Sequence, residues 1–481
     1  MSREDPSSPG QIHKGTPACY LSIILNSGTT SIGGIFFIIS KHKTNYKLSD
    51  SMESITITPI ETVSELTWDV PGSKSITNRA LILGALREGT TELNGVLHSD
   101  DTRHMRNALS EMGIDIEDTS PTSLRIKGGM SRLKAPSSAI FIGNSGTSVR
   151  FLAAFAALVD GDVTFFGDEH MAKRPIKDLV DALEQMGVDV DCPSGCPPIT
   201  IKGHGLPGGK LSMSGTKSSQ YFSALMLSGS HARKDIHIQV KGTLVSLPYV
   251  KMTIKMVEEF GGKVTHDEMN NSFVIKSIKK HTGPAVMTFD IEPDASSASY
   301  PFAFAAATGC AVTVPRLTSS SLQGDYGFVS VLAKLGCTVK EDADGTTVIG
   351  PSKSKRLSGI EIDMFHISDT VMTLAAIAPL CSKPVLIKNI ANIRIKETDR
   401  LEATVTELKR LGQKVEFGDD WLKIIPGESL VPAEIQCYAD HRMAMSFAIL
   451  GLVVPGITIT DPACTSKTYP GFWKDLQKFF I

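Results

Sequence analysis

Apolar residues recur along this chain in two styles that alternate with each other. The first is an amphipathic helix that stops at a glycine and gives way to a short strand. Met105–Met112 leads into Gly113-Ile114-Asp115-Ile116, and Leu179–Met186 into Gly187-Val188-Asp189-Val190. The same sequence of events follows for Met252–Phe260 with Gly261, Phe328–Leu335 with Gly336, and Leu401–Leu411 with Gly412. A glycine just past the last apolar residue is a stop signal, because it can enter the left-handed backbone region without a Cβ clash. From Gly113 to Gly412 the successive steps are 74, 74, 75 and 76 residues.

The second style is a small or polar cluster that opens an Ala-rich helix. It occurs at Ser73-Lys74-Ser75, Ser145-Gly146-Thr147, Ser218-Ser219-Gln220, Ser296-Ser297-Ala298, Ser368-Asp369-Thr370 and Asp440-His441-Arg442. Stepping from Ser75 through Thr147, Ser219, Ser297 and Thr370 to Arg442 takes 72, 72, 78, 73 and 72 residues. Two interleaved signals of nearly one period predict a sixfold structural repeat. Arg150–Leu158 and Tyr300–Ala307 are apolar almost all round, so these helices belong inside a domain, with the glycine-ended helices and alternating strands such as Ser123–Lys127 and Pro198–Lys202 outside. The expected class is α/β, built from α+β repeats. If the buried helices run parallel, six N-termini face one cleft. Each adds only ~0.3–1 kcal/mol to anion binding, or ~2 when partly buried, so nearby cations must supply much of any affinity.

A chain of 481 residues is too long for one small core. Its net charge of −2, with 41% hydrophobic and 21% charged residues, excludes a general nucleic-acid binder, which needs a basic surplus. Any anion site must be a local gathering of cations. The eight cysteines follow no pairing pattern, and Cys192 and Cys196 have no second Cys/His pair of zinc spacing, so reduced thiols and no metal are expected. Residues 1–51 are rich in Ser, Gly, Thr and Lys. Their apolar runs, Ala18–Leu25 and Ile32–Ile39, are far short of the ~20 residues of a membrane span, and no clear cleavage site follows either. Met52–Ile60 alternates like a strand. The expectation is that Met52 is the working start, that 1–51 is an upstream or disordered extension, and that the protein is cytoplasmic with no membrane partner.

The cations gather at the helix starts. Pro71-Gly72-Ser73-Lys74-Ser75-Ile76-Thr77-Asn78-Arg79 puts small residues, a hydroxyl and two cations at a helix N-terminus, where unpaired N–H groups favour a phosphate or carboxylate. By itself it fits a capped core helix with solvated charges equally well. Gly143-Asn144-Ser145-Gly146-Thr147-Ser148-Val149-Arg150 lets backbone approach an anion closely, though such turns are commonly structural. Lys173-Arg174-Pro175-Ile176 reads as two cations ahead of a helix-N1 proline, or as a solvated pair. Asn392-Ile393-Arg394-Ile395-Lys396-Glu397-Thr398-Asp399-Arg400 fits a salt-bridged surface as well as a site. Asp440-His441-Arg442-Met443-Ala444-Met445 takes charges into a buried helix, where they need partners. Cys464–Pro470 is a polar turn with one cation, Lys467. Asp369 is either a helix cap or a general base. There is no nucleotide P-loop, G-x-S-x-G or metal cluster. Together these motifs suit an enzyme that holds two small, highly anionic molecules between two domains.

From Met52 onward, over about nine-tenths of its length, the chain resembles the EPSP synthase (3-phosphoshikimate 1-carboxyvinyltransferase) family of enolpyruvyl transferases. The resemblance rests on Pro71–Arg79, Asp294–Tyr300, Lys396–Arg400 and Asp440–Met445, in that order. It implies a two-domain inside-out α/β barrel of six βαβαββ units, three per domain. Residues 72–290 would form one domain and 52–71 plus 291–481 the other, with hinge crossings near 71 and 291. It implies transfer of the enolpyruvyl group of phosphoenolpyruvate to the 5-hydroxyl of shikimate 3-phosphate, without cofactor or metal, in a monomer.

Carried over by motif, Lys74, Ser75, Arg79, Ser218, Ser219, Gln220, Ser246, Asp369, Asn392 and Lys396 would meet shikimate 3-phosphate. Lys74, Asn144, Gly146, Arg174, Gln220, Arg400, Arg442 and Lys467 would meet phosphoenolpyruvate. Asp369 would accept the hydroxyl proton, and Glu397 and Lys74 would handle the proton at the enolpyruvyl carbon. Gly146, at a position where members with Gly rather than Ala tend to be inhibited by glyphosate, implies sensitivity to it. Three positions depart from the family pattern: Ser368 for a frequent Pro, Ile393 for a frequent Trp, and Lys217 where an uncharged residue is usual. The sister transferase acting on UDP-N-acetylglucosamine is the nearest rival, disfavoured by Ser75 and by the compact Lys396–Arg400 motif. A non-catalytic repeat scaffold would give no reason to set Asp369 and Glu397 among cations.

Overall fold

The computed structural model describes residues 53–60, 65–278, 283–352 and 354–478, all within one unit, Ser49–Ile481. Met52 and the extension 1–51 lie outside the described residues. The fold is mixed α/β with six sheets, five of four strands and one of three.

The two sequence patterns become two structural roles. All five helix-ending glycines have positive φ, from 78° at Gly412 to 104° at Gly336, the conformation their stop signal requires. The other helix type is Lys74–Leu86, Gly146–Ala156, Ser219–Gly229, Ala295–Thr308, Val371–Ile377 and His441–Gly451. These are buried nearly throughout, as their all-round apolar sequence demands. The fifth differs in its entry: Ser368–Thr370 is a 3₁₀ turn ahead of the α-helix, and the cap position falls on Thr370. Asp369 is therefore not the helix cap.

Every sheet contains one parallel pair. In four sheets the buried helix lies in sequence between the paired strands, as in Ile140–Phe141, Gly146–Ala156, Asp160–Phe166, which is the βαβ crossover. In the other two the strands are exchanged. Glu65–Thr67 precedes the helix Lys74–Leu86 but pairs with Ala311–Pro315. Val286–Asp290 precedes the helix Ala295–Thr308 but pairs with Gly89–Asn94. The chain thus leaves one set of sheets and returns through two adjacent crossings. They run antiparallel, with Ser73 N–H donating to Glu292 O and Asp294 N–H to Pro71 O, both at 2.8 Å. Gly72 is required there because a Cβ would fall 1.8 Å from the Gly95 carbonyl oxygen.

Buried apolar side chains form two clusters. One is drawn from Ile76 to Ile291, the other from Ile55–Val70 and Ala295–Leu476. Among the described residues no helix is long and apolar enough to cross a membrane. One local expectation is corrected: Pro175 is not at helix N1, because the helix is Lys177–Gln185 with Ile176 at its cap. The Pro175 carbonyl instead accepts from Arg150 Nη2 and the Tyr221 hydroxyl, which fixes the chain in an extended turn.

Candidate active site

The starts of all six buried helices line one cleft, which encloses about 1110 Å³ including its open mouth. Lys74 and Ser75, Gly146 and Thr147, Ser218 to Gln220, Ser296 and Ser297, Asp369, and His441 and Arg442 each come from a different start. The loop carrying Lys396, Glu397 and Arg400 closes one side. Of the residues expected to bind substrates, Asn144 and Lys467 stand just behind the lining. The Asn144 carbonyl accepts from Arg174 Nη1 (3.1 Å) and Lys467 Nζ (2.9 Å), so Asn144 aims both cations.

Asp369 and Glu397 are the centres of the charge network. Asp369 Oδ2 lies 2.8 Å from Arg442 Nη2, and its Oδ1 lies 3.2 Å from Arg400 Nη1 and 3.5 Å from Lys396 Nζ. Burial alone would raise the Asp369 carboxyl, but Arg442, Lys396 and Arg400 outweigh it and hold it well below the ordinary carboxylate range. Glu397 Oε1 lies 3.1 Å from Lys467 and 3.7 Å from Arg174, with Oε2 2.8 Å from Arg400. Against its burial, Lys467, Arg400 and Arg174 depress it as well. Arg400, 2% exposed, also reaches Asp440 at 2.7 Å and so ties three carboxylates together. Lys396 runs the other way: burial lowers its pKa despite the facing Asp369.

On the opposing wall Arg79 and Arg150 have neutral partners. Arg79 is expected to touch substrate, but its donors are committed to Thr253, Ser223 and the carbonyls of Ser75 and Tyr249. Burial pushes its pKa down to about 10. Arg150 Nη1 donates to Gln220 Oε1 at 2.6 Å and turns the Gln220 amide toward Thr147. Ser246 caps the helix Leu247–Glu259 at φ 53°, a left-handed conformation rare for serine, and its hydroxyl accepts from Asn392 Nδ2 at 3.3 Å. Asn392 also donates to Ser368, so the serine that replaces a frequent proline supplies a hydrogen bond of 2.9 Å. Lys217 faces Asp178 at 2.9 Å beside the serine pair. Among the described residues no group of three or more His, Cys, Asp or Glu side chains is disposed to hold a metal.

A family model described as EPSP synthase (3-phosphoshikimate 1-carboxyvinyltransferase) matches residues 59–476. The chain belongs to the EPSP synthase family. It is 43% identical over 425 residues to a 3-phosphoshikimate 1-carboxyvinyltransferase of Nostoc punctiforme, covering 88% of this chain and 98% of that protein. A chloroplastic relative of the same name from Arabidopsis thaliana is 39% identical over 467 residues, covering 94% of this chain and 89% of that one. The structure of an EPSP synthase from Acinetobacter baumannii superposes with a TM-score of 0.74 at 27% identity, covering 89% of this chain and 98% of that one.

The cleft contains residues that sequence reasoning missed. Asp101 answers Lys74 at 3.2 Å, from the first turn of the helix Asp100–Glu111. Extending that helix back to its Ser99 cap would have exposed the Asp100-Asp101 pair as a first-turn acid signal. The Tyr249 hydroxyl lies within reach of both Asp325 and Asp369, which come from separate elements, and nothing local in the sequence announces that meeting. His441 stands among the cations with neither ring nitrogen hydrogen-bonded. Burial drives its pKa far down, so it is a neutral imidazole.

Proposed function

We propose that this chain transfers the enolpyruvyl group of phosphoenolpyruvate to the 5-hydroxyl of shikimate 3-phosphate, giving 5-enolpyruvylshikimate 3-phosphate and phosphate. Family membership supports the reaction. The observation that carries the residue roles is the placing of two ionised carboxylates, Asp369 and Glu397, either side of Arg400 in a cleft rich in cations and hydroxyls. Serines 218, 219 and 246 with Lys396 take the shikimate 3-phosphate end, and Arg174, Arg400, Arg442 and Lys467 take phosphoenolpyruvate. Asp369 removes the 5-hydroxyl proton as that oxygen bonds to C2, while Glu397 and Lys74 deliver a proton to C3. Loss of that proton and of phosphate from the tetrahedral intermediate restores the double bond.

Without substrates, Arg442, Arg400 and Lys396 hold Asp369 too acidic to be an effective base. Two anions in the cleft redirect those cations, and their negative charge raises Asp369 and Glu397 toward working range. The base is thus activated by the molecules it acts on. In this reading the chain is a two-domain inside-out α/β barrel of six βαβαββ units. Residues 72–290 form one domain and 52–71 plus 291–481 the other, a division supported by the two buried clusters and the paired crossings. The proposed compartment is the cytoplasm, and cell fractionation tests it against the chloroplast location named for the Arabidopsis relative. Gly146 makes the enzyme glyphosate-sensitive, and an unchanged rate at high inhibitor would refute that.

The deciding experiment is phosphate release by the purified chain with phosphoenolpyruvate, with and without shikimate 3-phosphate. Release only with both supports the transfer. Release with UDP-N-acetylglucosamine instead, or with no acceptor, overturns it.

A further inference from the structure

The Tyr249 hydroxyl has two carboxylates to serve and one hydrogen to give. It lies 3.1 Å from Asp325 Oδ2 and 3.4 Å from Asp369 Oδ2. Tyr249 belongs to the helix Leu247–Glu259 and packs against the first apolar cluster, whereas both acids lie among residues of the second. Asp325 sits in the short turn Gly324–Gly327 and is 2% exposed. The Ser296 hydroxyl also donates to its Oδ2, and its Oδ1 has no hydrogen-bond partner. Asp369 is paired with three cations, whereas among the described residues the hydrogen bonds to Asp325 come from hydroxyls.

We propose that Asp325 is a positioning residue for the proton-accepting carboxylate, acting through Tyr249. Ionised, Asp325 draws the tyrosine hydrogen to itself, as the shorter distance indicates, and leaves Asp369 Oδ2 free of that donor for a substrate hydroxyl. Protonated, Asp325 donates to the tyrosine oxygen and turns the tyrosine hydrogen onto Asp369. A carboxylate accepting one more hydrogen bond is a weaker base. The inference rests on Asp369 being that base.

The charged and titrating groups facing Asp325 are Asp369, Arg442, Asp294 and Tyr249. Burial, then the Asp369 charge, pushes the Asp325 pKa up to about 6, with Arg442 opposing. In the free enzyme, whose pKa values kcat/KM reports, the exchange therefore falls within the working pH range. As pH drops through about 6 the tyrosine hydrogen moves to Asp369 and the reaction slows.

The test is the pH profile of kcat and kcat/KM for phosphate release by the full chain, over roughly pH 5 to 8.5, in the wild type, Asp325→Asn, Tyr249→Phe and the double variant. Asparagine is neutral at every pH. It should lower kcat about tenfold above pH 7, leave KM for shikimate 3-phosphate within about threefold, and abolish the inflection near pH 6. Tyr249→Phe should flatten the same inflection, and adding Asp325→Asn to it should cost less than about threefold more. A purely structural role predicts an equal loss at every pH with the inflection intact, and that result overturns the proposal. So does an Asp325→Asn effect undiminished in the phenylalanine background. Should Asp325→Asn fail to fold in a thermal melt, Tyr249→Phe alone decides, because an inflection it leaves in place is incompatible with the exchange. Asp369→Ala with normal turnover would sink the base assignment itself. An inactive Asp369→Ala beside an unchanged Asp325→Asn profile would sink only the present inference.

Discussion

The two walls of the cleft answer their cations differently. On the wall built from the first apolar cluster, Arg79 and Arg150 bond to hydroxyls, an amide and carbonyls, while Arg174 bonds to the Asn144 carbonyl and amide oxygens and lies 3.7 Å from Glu397. Neutral partners orient a guanidinium without cancelling its charge, so that wall keeps a standing positive field for an anion. On the other wall Arg400, Arg442 and Lys396 all face carboxylates, and Lys467 divides itself between Glu397 and the Asn144 carbonyl. Those pairs nearly neutralise each other and keep Asp369 and Glu397 ionised. In the proposed reaction the first wall acts as an anion receptor, while the second manages protons as well as holding phosphoenolpyruvate. Lys74 and Lys217 are the exceptions on the first wall, since Asp101 and Asp178 answer their charges.

The sharpest way to break that comparison is Asp369→Ala. Turnover should fall by about 10²–10⁴, the range for a general base. Shikimate 3-phosphate should bind as tightly or more tightly, because Arg442, Arg400 and Lys396 lose their buried counter-charge. Calorimetry beside steady-state rates checks both, and parallel loss of binding and rate would show that the carboxylate holds substrate instead. Arg442→Ala comes next. Truncating one partner of a buried, hydrogen-bonded pair costs about 2–5 kcal/mol. The loss should appear mainly in kcat/KM for phosphoenolpyruvate and hardly in shikimate 3-phosphate affinity. Equal losses for the two substrates would contradict the assignment.

How much of this was legible in the sequence follows the same division. The repeat could be read because each unit carries local punctuation: Gly113, Gly187, Gly261, Gly336 and Gly412 all adopt the positive φ that their position after an apolar helix implies. The six helix starts could be read because small residues and caps mark an N-terminus whatever surrounds it. The charged sequences Lys396–Arg400 and Asp440–Arg442 marked the second wall, since charges entering an apolar helix demand partners. What stayed hidden depends on contacts far apart in the chain. Tyr249 meets Asp325 across 76 positions and Asp369 across 120, and no period or cap encodes such a meeting. Pro175 misled for a related reason. Its local signal is that of a helix start, but Arg150 and Tyr221 claim its carbonyl and delay the helix to Lys177.

Two smaller effects sharpen the comparison from the receptor wall. A Cβ on Gly146 would fall 2.5 Å from Arg174 Cζ. The guanidinium is the far end of a flexible side chain and can retreat, but its two hydrogen bonds to Asn144 must then change. Gly146→Ala should therefore raise KM for phosphoenolpyruvate about tenfold, roughly 1.4 kcal/mol, with kcat nearly kept and glyphosate inhibition weakened. An unchanged KM would mean that the first wall tolerates movement and is not preorganised. Lys217 gives the smallest effect and the most discriminating one. Its side chain is 50% exposed and already paired with Asp178 at 2.9 Å, so on this receptor wall it is a cation whose charge is answered by an acid. An exposed pair is worth ~0–1 kcal/mol, so Lys217→Gln should change KM for shikimate 3-phosphate by less than about fivefold. A much larger rise would show that Lys217 leaves Asp178 to bind the phosphate, and that ion pairing on this wall is a resting state which substrate displaces.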